Sequence, residues 1–274
     1  MTIVLAVAAG ALIGLSLGAL GGGGSILAVP ILVYLLGQSA TQATTGSLVV
    51  VGITSILGAI TARRAGHVLL GRGIAFGLVA LGGATLGARV SALVPPNILM
   101  AAFAVLLLVV GGLMGRRQLQ RSRTAGRSVA LGPRLDDPII TFTPAFACAC
   151  PRALKVLVTA TVVGLLTGFL GVGGGFLVVP ALTLALGLPI RYAAGTSLVV
   201  ITITSTAALA VRAGAGFSPD WVPVLLLTAV AAVGAVVGAR IAGKVDSARL
   251  SAGFTVLVLG VAIYTAAQAL PALF

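Results

Sequence analysis

Charge is scarce in this sequence, and acidic side chains are the scarcest of all. Charged residues make up 8% of the 274 positions, whereas a typical soluble domain carries about 25%. Glutamate does not occur, and the aspartates fall in predicted loops, at Asp136, Asp137, Asp220 and Asp246. This composition excludes a water-soluble fold. It also excludes a proton relay or a cation site built from carboxylates inside a membrane.

Cysteine and histidine are also rare. Cys148 and Cys150 give no disulfide framework, and one intervening residue is tight for an unstrained bridge. A redox or metal pair at the membrane surface is an alternative, but no histidine or third cysteine lies near enough to complete a zinc site. His67 lies in a basic loop, which favours a solvated side chain over a coupling group. We therefore predict neither a metal site nor a cofactor.

Long apolar runs dominate the rest of the chain. The stretches 74–93 and 97–115 are close to the roughly 20 residues that a helix needs to cross a hydrocarbon core. Spanning segments must be helical, because lipid offers no partner for main-chain N–H and C=O groups. The sequence thus predicts an all-α polytopic membrane protein with the lipid bilayer as its partner. The net charge of +13 resides in short loops without interleaved aromatics, so no nucleic-acid partner is expected.

An internal repeat divides the chain. A shift of 150 residues aligns 14–30 with 164–180 at ten identical positions out of 17, where composition alone gives about two. A shift of 151 aligns GATLGAR, ending at Arg89, with GAVVGAR, ending at Arg240. We therefore predict three parts: a first membrane repeat at 1–115, a basic, proline-containing linker at 116–151 and a second membrane repeat at 152–274.

The charges of the loops orient the predicted spans. Each repeat holds five apolar segments, which in the first repeat are 2–20, 24–37, 45–62, 69–93 and 97–115. If all five cross, the repeats insert in opposite directions, and every Lys and Arg except Arg89 and Arg212 lies on one side. If the first two segments form one broken span, the repeats are parallel and more of the Lys and Arg residues lie on the opposite side from the majority. The positive-inside rule favours the first arrangement, an inverted repeat of about ten transmembrane or re-entrant helices with both termini outside. Whether the first two segments cross fully stays open.

A glycine cluster interrupts each repeat at the same place, between the first and second segments. The clusters are Gly21, Gly22, Gly23, Gly24 and Ser25, and Gly171, Val172, Gly173, Gly174 and Gly175. Glycine leaves main-chain amides uncovered, and a helix that follows adds roughly half a positive charge at its N-terminus. Close helix packing explains scattered glycines such as Gly82 and Gly83. Since interrupted helices at equivalent positions are typical of transporter sites, we predict that these glycine breaks bind an anion.

Hydroxyl side chains open the third segment of each repeat. The candidate substrate ligands are Thr44, Thr45, Ser47, Thr196 and Ser197, although ordinary N-capping explains any one of them equally well. Further hydroxyls along the same segments either face a pathway or bond back to their own helix. These are Thr54, Ser55, Thr204 and Ser205.

The second repeat reads G-x-L-G-x-G-G-G from Gly168 to Gly175, then Pro180, then A-G-T-S-L from Ala194 to Leu198. In these motifs the chain resembles the TauE/SafE family of sulfite exporters. The first repeat resembles the same pattern with departures, and the resemblance extends over nearly the whole chain except the linker. It implies transport of a small anionic substrate, such as sulfite, a sulfonate or a related oxyanion. Transport is usually outward, across a bacterial inner membrane.

Several functions are compatible with these features. An exporter would hold the oxyanion between the glycine breaks while the halves rock around it. An importer of thiosulfate, sulfate or another small anion would use the same residues with an added driving force. A membrane enzyme would use Cys148 and Cys150 in sulfur or thiol chemistry. We expect a transporter that is not an enzyme. The sequence leaves open whether it forms a homo-oligomer.

Overall fold

The computed structural model describes residues 2–91, 93–124, 150–170, 175–214 and 220–269. Within these ranges the chain forms ten α-helices and no strand, as expected for an all-α membrane protein. The helices of the first half are α1 (Thr2–Leu20), α2 (Ser25–Pro30), α3 (Ala40–Arg64), α4 (Leu70–Ser91) and α5 (Pro96–Thr124). Those of the second half are α6 (Cys150–Leu170), α7 (Gly175–Ala185), α8 (Ile190–Gly214), α9 (Trp221–Ala242) and α10 (Ser247–Ala269). A 3-10 turn at Gly22–Gly24 precedes α2, and a π-helical turn at Ile31–Leu35 extends it.

In the part of the chain that the structure describes, six helices are long and apolar enough to cross a membrane: α3, α4, α5, α8, α9 and α10. The second helix of each half is much shorter. α7 has 11 residues, which is about 16 Å of helix against a hydrocarbon core of about 30 Å. α2 with its π-helical extension has the same reach. Neither helix is long enough to cross a hydrocarbon core on its own.

The third helix of each half begins earlier than the sequence predicts. Ser39 caps α3: its Oγ accepts from the main-chain nitrogen of Gln42 at 3.3 Å, and the Gln42 side chain bonds back to Ser39. This capping box starts the helix a full turn before Thr44. The prediction that Thr44, Thr45 and Ser47 open α3, and that Thr196 and Ser197 open α8, is therefore wrong. These residues lie beyond the first turn, where main-chain N–H groups already bond within the helix.

The helices on both sides of the predicted linker extend into it. α5 continues through Thr124, because its polar extension is rich in Arg, Gln and other good helix formers. α6 begins at Cys150, with Pro151 in its first turn, where a missing N–H leaves no bond unmade. Cys148 lies outside the described residues.

Gly21 reverses the chain between α1 and α2. Its φ of 71° lies in the left-handed region that favours glycine. Gly24 then packs against Ile13 and Leu17 of α1, and Leu32 belongs to the same buried cluster. The chain therefore enters and leaves the first glycine break from the same end of the molecule.

The first helix of each half packs against the fourth helix of the other half: α1 packs on α9, and α6 packs on α4. The facing pairs are Gly14 with Ala231, Gly18 with Ala235, Gly164 with Ala80 and Gly168 with Ala84. A Cβ on any of these glycines would overlap the facing main chain, so small residues set the approach of the helices. Gly83 makes the same kind of contact with α6, whereas Gly82 faces open space. Residue numbers rise together across both contacts, which makes both pairs parallel.

Equivalent helices of the two halves pack against each other in opposite directions. In the contact of α3 with α8, a Cβ on Gly52 would lie 3.6 Å from Cβ of Ser205, and one on Gly58 would lie 3.1 Å from Leu198. Numbers rise on one helix and fall on the other, so this pair is antiparallel. α5 and α10 are antiparallel as well, with Gly111 beside Leu259 and Gly115 beside Thr255.

The two ends of the helix bundle differ in charge. At one end, Leu69 N donates to Thr196 Oγ1 at 3.1 Å and Arg191 Nη2 donates to Val245 O at 2.7 Å. These bonds join the loop after α3, the start of α8 and the loop after α9. We call this the basic end, because its exposed side chains include Arg63, Arg64, Arg240, Lys244 and Arg249. The opposite end holds the start of α3 and the ends of α4 and α8, with Arg89 exposed there.

Candidate functional site

The two glycine breaks contact each other through their main chains. A Cβ on Gly22 would overlap the carbonyl group of Gly175, and one on Gly175 would lie 2.7 Å from Cα of Gly22. Ser25, which is the repeat equivalent of Gly175, closes the contact. Its Oγ donates to the Gly22 carbonyl oxygen at 2.7 Å and lies 3.0 Å from the Cβ position of Gly175. Main-chain atoms of the two halves therefore meet directly at this point.

Gly21 connects the first break to the beginning of α8. A Cβ on Gly21 would lie 2.5 Å from the Ala194 carbonyl oxygen and 2.8 Å from Oγ of Ser197. Ser197 is fully buried, and its hydroxyl donates to the Ala194 oxygen at 2.7 Å. The structure thus brings together five of the residues predicted from the sequence to bind substrate: Gly21, Gly22, Ser25, Gly175 and Ser197. We call these five residues the central contact.

The remaining glycines of the first break pack against neighbouring helices. A Cβ on Gly23 would lie 3.1 Å from Leu20 and 3.4 Å from Leu257 of α10, while Gly24 lies against α1. Close packing accounts for both positions. The other members of the second break, Gly171, Gly173 and Gly174, lie outside the described residues.

The remaining predicted hydroxyls hydrogen-bond to main-chain groups. Thr196 accepts the hydrogen bond from Leu69 at the basic end. Thr44 and Thr45 both donate to the Thr41 carbonyl oxygen at 3.0 Å, and Ser47 donates to the Thr44 oxygen at 2.9 Å. Since these hydroxyl protons point at carbonyls of their own helix, they are poor donors for an anion. Main-chain amides and cationic side chains are better donors.

The hydroxyls further along α3 and α8 divide into two kinds. Thr54 and Thr204 bond back to their own helices, to Val50 O at 2.6 Å and Val200 O at 3.0 Å. Ser55 and Ser205 are buried, and their hydroxyls have no hydrogen-bond partner in the described ranges. Ser205 lies on the contact between α3 and α8. The structure therefore assigns the threonines a helical role and leaves the hydroxyls of Ser55 and Ser205 unpaired among the described residues.

A small cavity adjoins the first break from the basic end. Its volume is about 30 Å³, and Ala194, whose carbonyl meets Gly21, lines it together with Gly18 and Leu198. His67 and Arg191 lie in the same lining. This volume suits a water molecule rather than an oxyanion. An anion that uses this route must therefore move the helices apart.

Arg212 is a polar side chain whose contacts the sequence does not predict. It lies in the last turn of α8 and is 4% exposed. Nη1 donates to Thr44 Oγ1 and Nη2 donates to Ser91 Oγ, each at 2.9 Å. From the sequence it is predicted only to lie on the less basic side. The available signal is an arginine within an otherwise apolar segment, a placement that is typical of functional residues in membranes.

Comparison with known proteins gives consistent matches along the chain. A family model described as "Sulfite exporter TauE/SafE" matches residues 6–265. A "Probable membrane transporter protein" of Xylella fastidiosa strain Temecula1 is 34% identical over 201 residues, covering 73% of this chain and 70% of the relative. "Probable membrane transporter protein YunE" of Bacillus subtilis strain 168 is 28% identical over 255 residues, covering 90% and 91%. The B. subtilis protein YdhB, described in the same words, is 24% identical over 239 residues. No solved structure gives a significant match.

Proposed function

This chain belongs to the sulfite exporter TauE/SafE family of membrane transporters, and from that premise we propose that it exports a small sulfur-containing oxyanion. Sulfite and sulfonates are the substrates that the family name favours. The observation that carries the proposal is the contact of Gly22 with Gly175. In this contact, main-chain atoms that no side chain covers come from both halves to one buried point. Helix α7 begins at the same point, so its N-terminal N–H groups face it.

We propose further that the two halves insert in opposite directions. A two-fold relation exchanges the α1–α9 contact with the α6–α4 contact and pairs α3 with α8. If the repeats were inserted in the same direction, the two-fold axis would run along the helices and would make α3 and α8 parallel. The antiparallel contacts of Gly52 with Ser205 and Gly58 with Leu198 support an axis perpendicular to the helices. Such an axis lies in the membrane plane, as in inverted-repeat transporters.

The basic end is then the cytoplasmic end. Its exposed cations satisfy the positive-inside rule, and the opposite end faces outward with Arg89. This orientation puts the linker on the cytoplasmic side of a bacterial inner membrane and both termini outside. The cavity beside Gly21 then approaches the central contact from the cytoplasm.

Export of an anion needs no coupling ion in this arrangement. An inside-negative membrane potential favours exit of an anion by about 2.3 kcal/mol per charge per 100 mV. The lack of glutamate and the loop positions of the aspartates are compatible with such a uniporter. Rocking of the halves around the central contact would expose the anion to the two sides in turn.

Sulfite flux in proteoliposomes tests the proposal. Purified protein is reconstituted with known orientation, sulfite is trapped on the side of the basic end, and a potential is imposed with potassium and valinomycin. We expect efflux that rises as the basic-end compartment becomes more negative, with empty vesicles as the control. Movement of thiosulfate or sulfate toward the basic end that requires an ion gradient would favour an importer instead. A folded protein that moves none of these anions at any potential would contradict the proposed function.

A further inference from the structure

The guanidinium group of Arg212 is buried and has no carboxylate partner among the residues that the structure describes. Both of its hydrogen bonds go to hydroxyl groups, those of Thr44 and Ser91, and its Nε has no partner among the described residues. Asp220 and Asp246, the acidic residues that the structure describes, are exposed. A buried charge is strongly unfavourable unless an opposite charge or a full set of hydrogen bonds compensates it. Two neutral acceptors do not complete that set.

The internal repeat supplies a comparison for this site. Shifts of 150 and 151 residues map Arg212 to Ala62, Thr44 to Ala194 and Ser91 to Ala242. These three alanines all line the cavity at the basic end. The same place in the fold is therefore an open cavity at one end and is occupied by a guanidinium with two hydroxyls at the other. Close packing alone would not require a cation there, since the alanine version is compatible with the same helix arrangement.

We propose that Arg212, which Thr44 and Ser91 hold while the site is empty, binds an anion at the opposite end of the pathway. The ligand is a small oxyanion of the transported class, so this inference rests on the proposed function. A planar guanidinium fork matches two oxygens of one oxyanion, and both nitrogens now held by hydroxyls can turn to such a ligand. The free Nε adds a third donor.

Among the described residues this arrangement occurs at one end of the molecule, so it makes the two entrances chemically different. The cavity at the basic end has Ala62, Ala194 and Ala242 at these three positions, and Arg191 lies elsewhere in its lining, whereas the opposite end has Arg212 with Thr44 and Ser91 at the equivalent positions. Empty, the site closes that end, because Arg212 bridges α8 to α3 and α4. An oxyanion that takes the guanidinium from Thr44 and Ser91 would release this bridge.

Anion binding is measured separately from flux. The unfolding temperature of the purified protein is measured in sulfite or sulfate and compared with that in potassium gluconate of equal ionic strength. The proteins compared are wild type, Arg212→Gln, Arg212→Lys and Arg89→Gln. We expect Arg212→Gln to raise the anion concentration that gives half of the maximal rise in unfolding temperature by roughly 30-fold or more. A loss of this size is typical when one partner of a buried charge pair is truncated. Arg212→Lys should be intermediate. Arg89→Gln, which removes an exposed cation at the same end, should match wild type.

A second variant covers the case in which Arg212→Gln does not fold. The double substitution Thr44→Val, Ser91→Ala removes the neutral partners and keeps the guanidinium. The proposal predicts that sulfite or sulfate raises the unfolding temperature of this variant more than that of wild type. A destabilised double variant that gains nothing from either anion would show a structural bridge only and would overturn the site.

The two proposals fail in different ways. If anions stabilise the wild type in a way that depends on Arg212, but the wild type carries no flux, the site is supported and the proposed export is overturned. Sulfite flux that reaches half saturation at the same concentration in wild type and folded Arg212→Gln would overturn the site and leave export standing.

Discussion

The main-chain nitrogen of Leu69 donates a hydrogen bond to Oγ1 of Thr196 at 3.1 Å, which ties the loop after α3 to α8 in the other half of the chain. The same contact brings Gly195 against the main chain of His67. Thr196 thus has a defined structural partner, and this partner competes with its predicted role as a substrate ligand.

Replacement of Thr196 by valine should therefore cost stability rather than substrate affinity. The near-isosteric change removes the acceptor of a partly buried main-chain N–H, a loss of about 1–2 kcal/mol. Thermal unfolding in detergent measures the loss, with Thr206→Val as the control, because the Thr206 hydroxyl is exposed and bonds only within its helix. The half-saturating sulfite concentration should be unchanged. A stable Thr196→Val protein with weakened sulfite transport would return Thr196 to the substrate site.

Opposite insertion of the halves predicts opposite accessibility of equivalent arginines. Arg89 and Arg240 end the fourth helix of each half, and both are exposed. In a background with Cys148→Ser and Cys150→Ser, a cysteine at position 89 should react with a membrane-impermeant maleimide in intact cells. A cysteine at position 240 should react only after permeabilisation. Labelling of both positions from the same side would mean that the repeats are parallel.

The membrane-enzyme alternative depends entirely on Cys148 and Cys150. If the protein is a transporter, replacement of both by serine should leave sulfite flux within about twofold of wild type, since neither thiol takes part in the proposed transport and most single substitutions have modest effects. The flux assay in proteoliposomes measures this directly, with each single variant as an additional control. Complete loss of flux in a folded double variant would assign the cysteines a part in the chemistry.

Much of this architecture is readable from the sequence because periodic signals dominate it. Glycines recur at equivalent positions, and Gly22 of the first break meets Gly175 of the second. Helix starts were harder to predict. The capping box of Ser39 and Gln42 lies outside the apolar run, so hydropathy places the start of α3 too late. A run of apolar residues does not show where a cap begins the helix.

Long-range polar contacts could not be predicted from the same signals. The bond of Thr196 to Leu69 spans 127 residues, and that of Arg212 to Thr44 spans 168. Both depend on how the halves pack, which a single sequence does not encode locally. The repeat also hides differences between its copies, because Arg212 stands where the first copy has Ala62. An alignment that scores similarity passes over that substitution, although it replaces a methyl group by a buried guanidinium.

The most direct test of the account is sulfite flux in Gly22→Ala compared with Gly82→Ala. A Cβ on Gly22 would overlap the Gly175 carbonyl, whereas one on Gly82 would meet no atom within 4 Å. Overpacking of this kind typically costs about 1–3 kcal/mol. We expect Gly22→Ala to lose about tenfold or more of the flux while it remains folded by size-exclusion chromatography, and Gly82→Ala to match wild type. Wild-type flux in a folded Gly22→Ala protein would contradict the claim that the two breaks form the transport site.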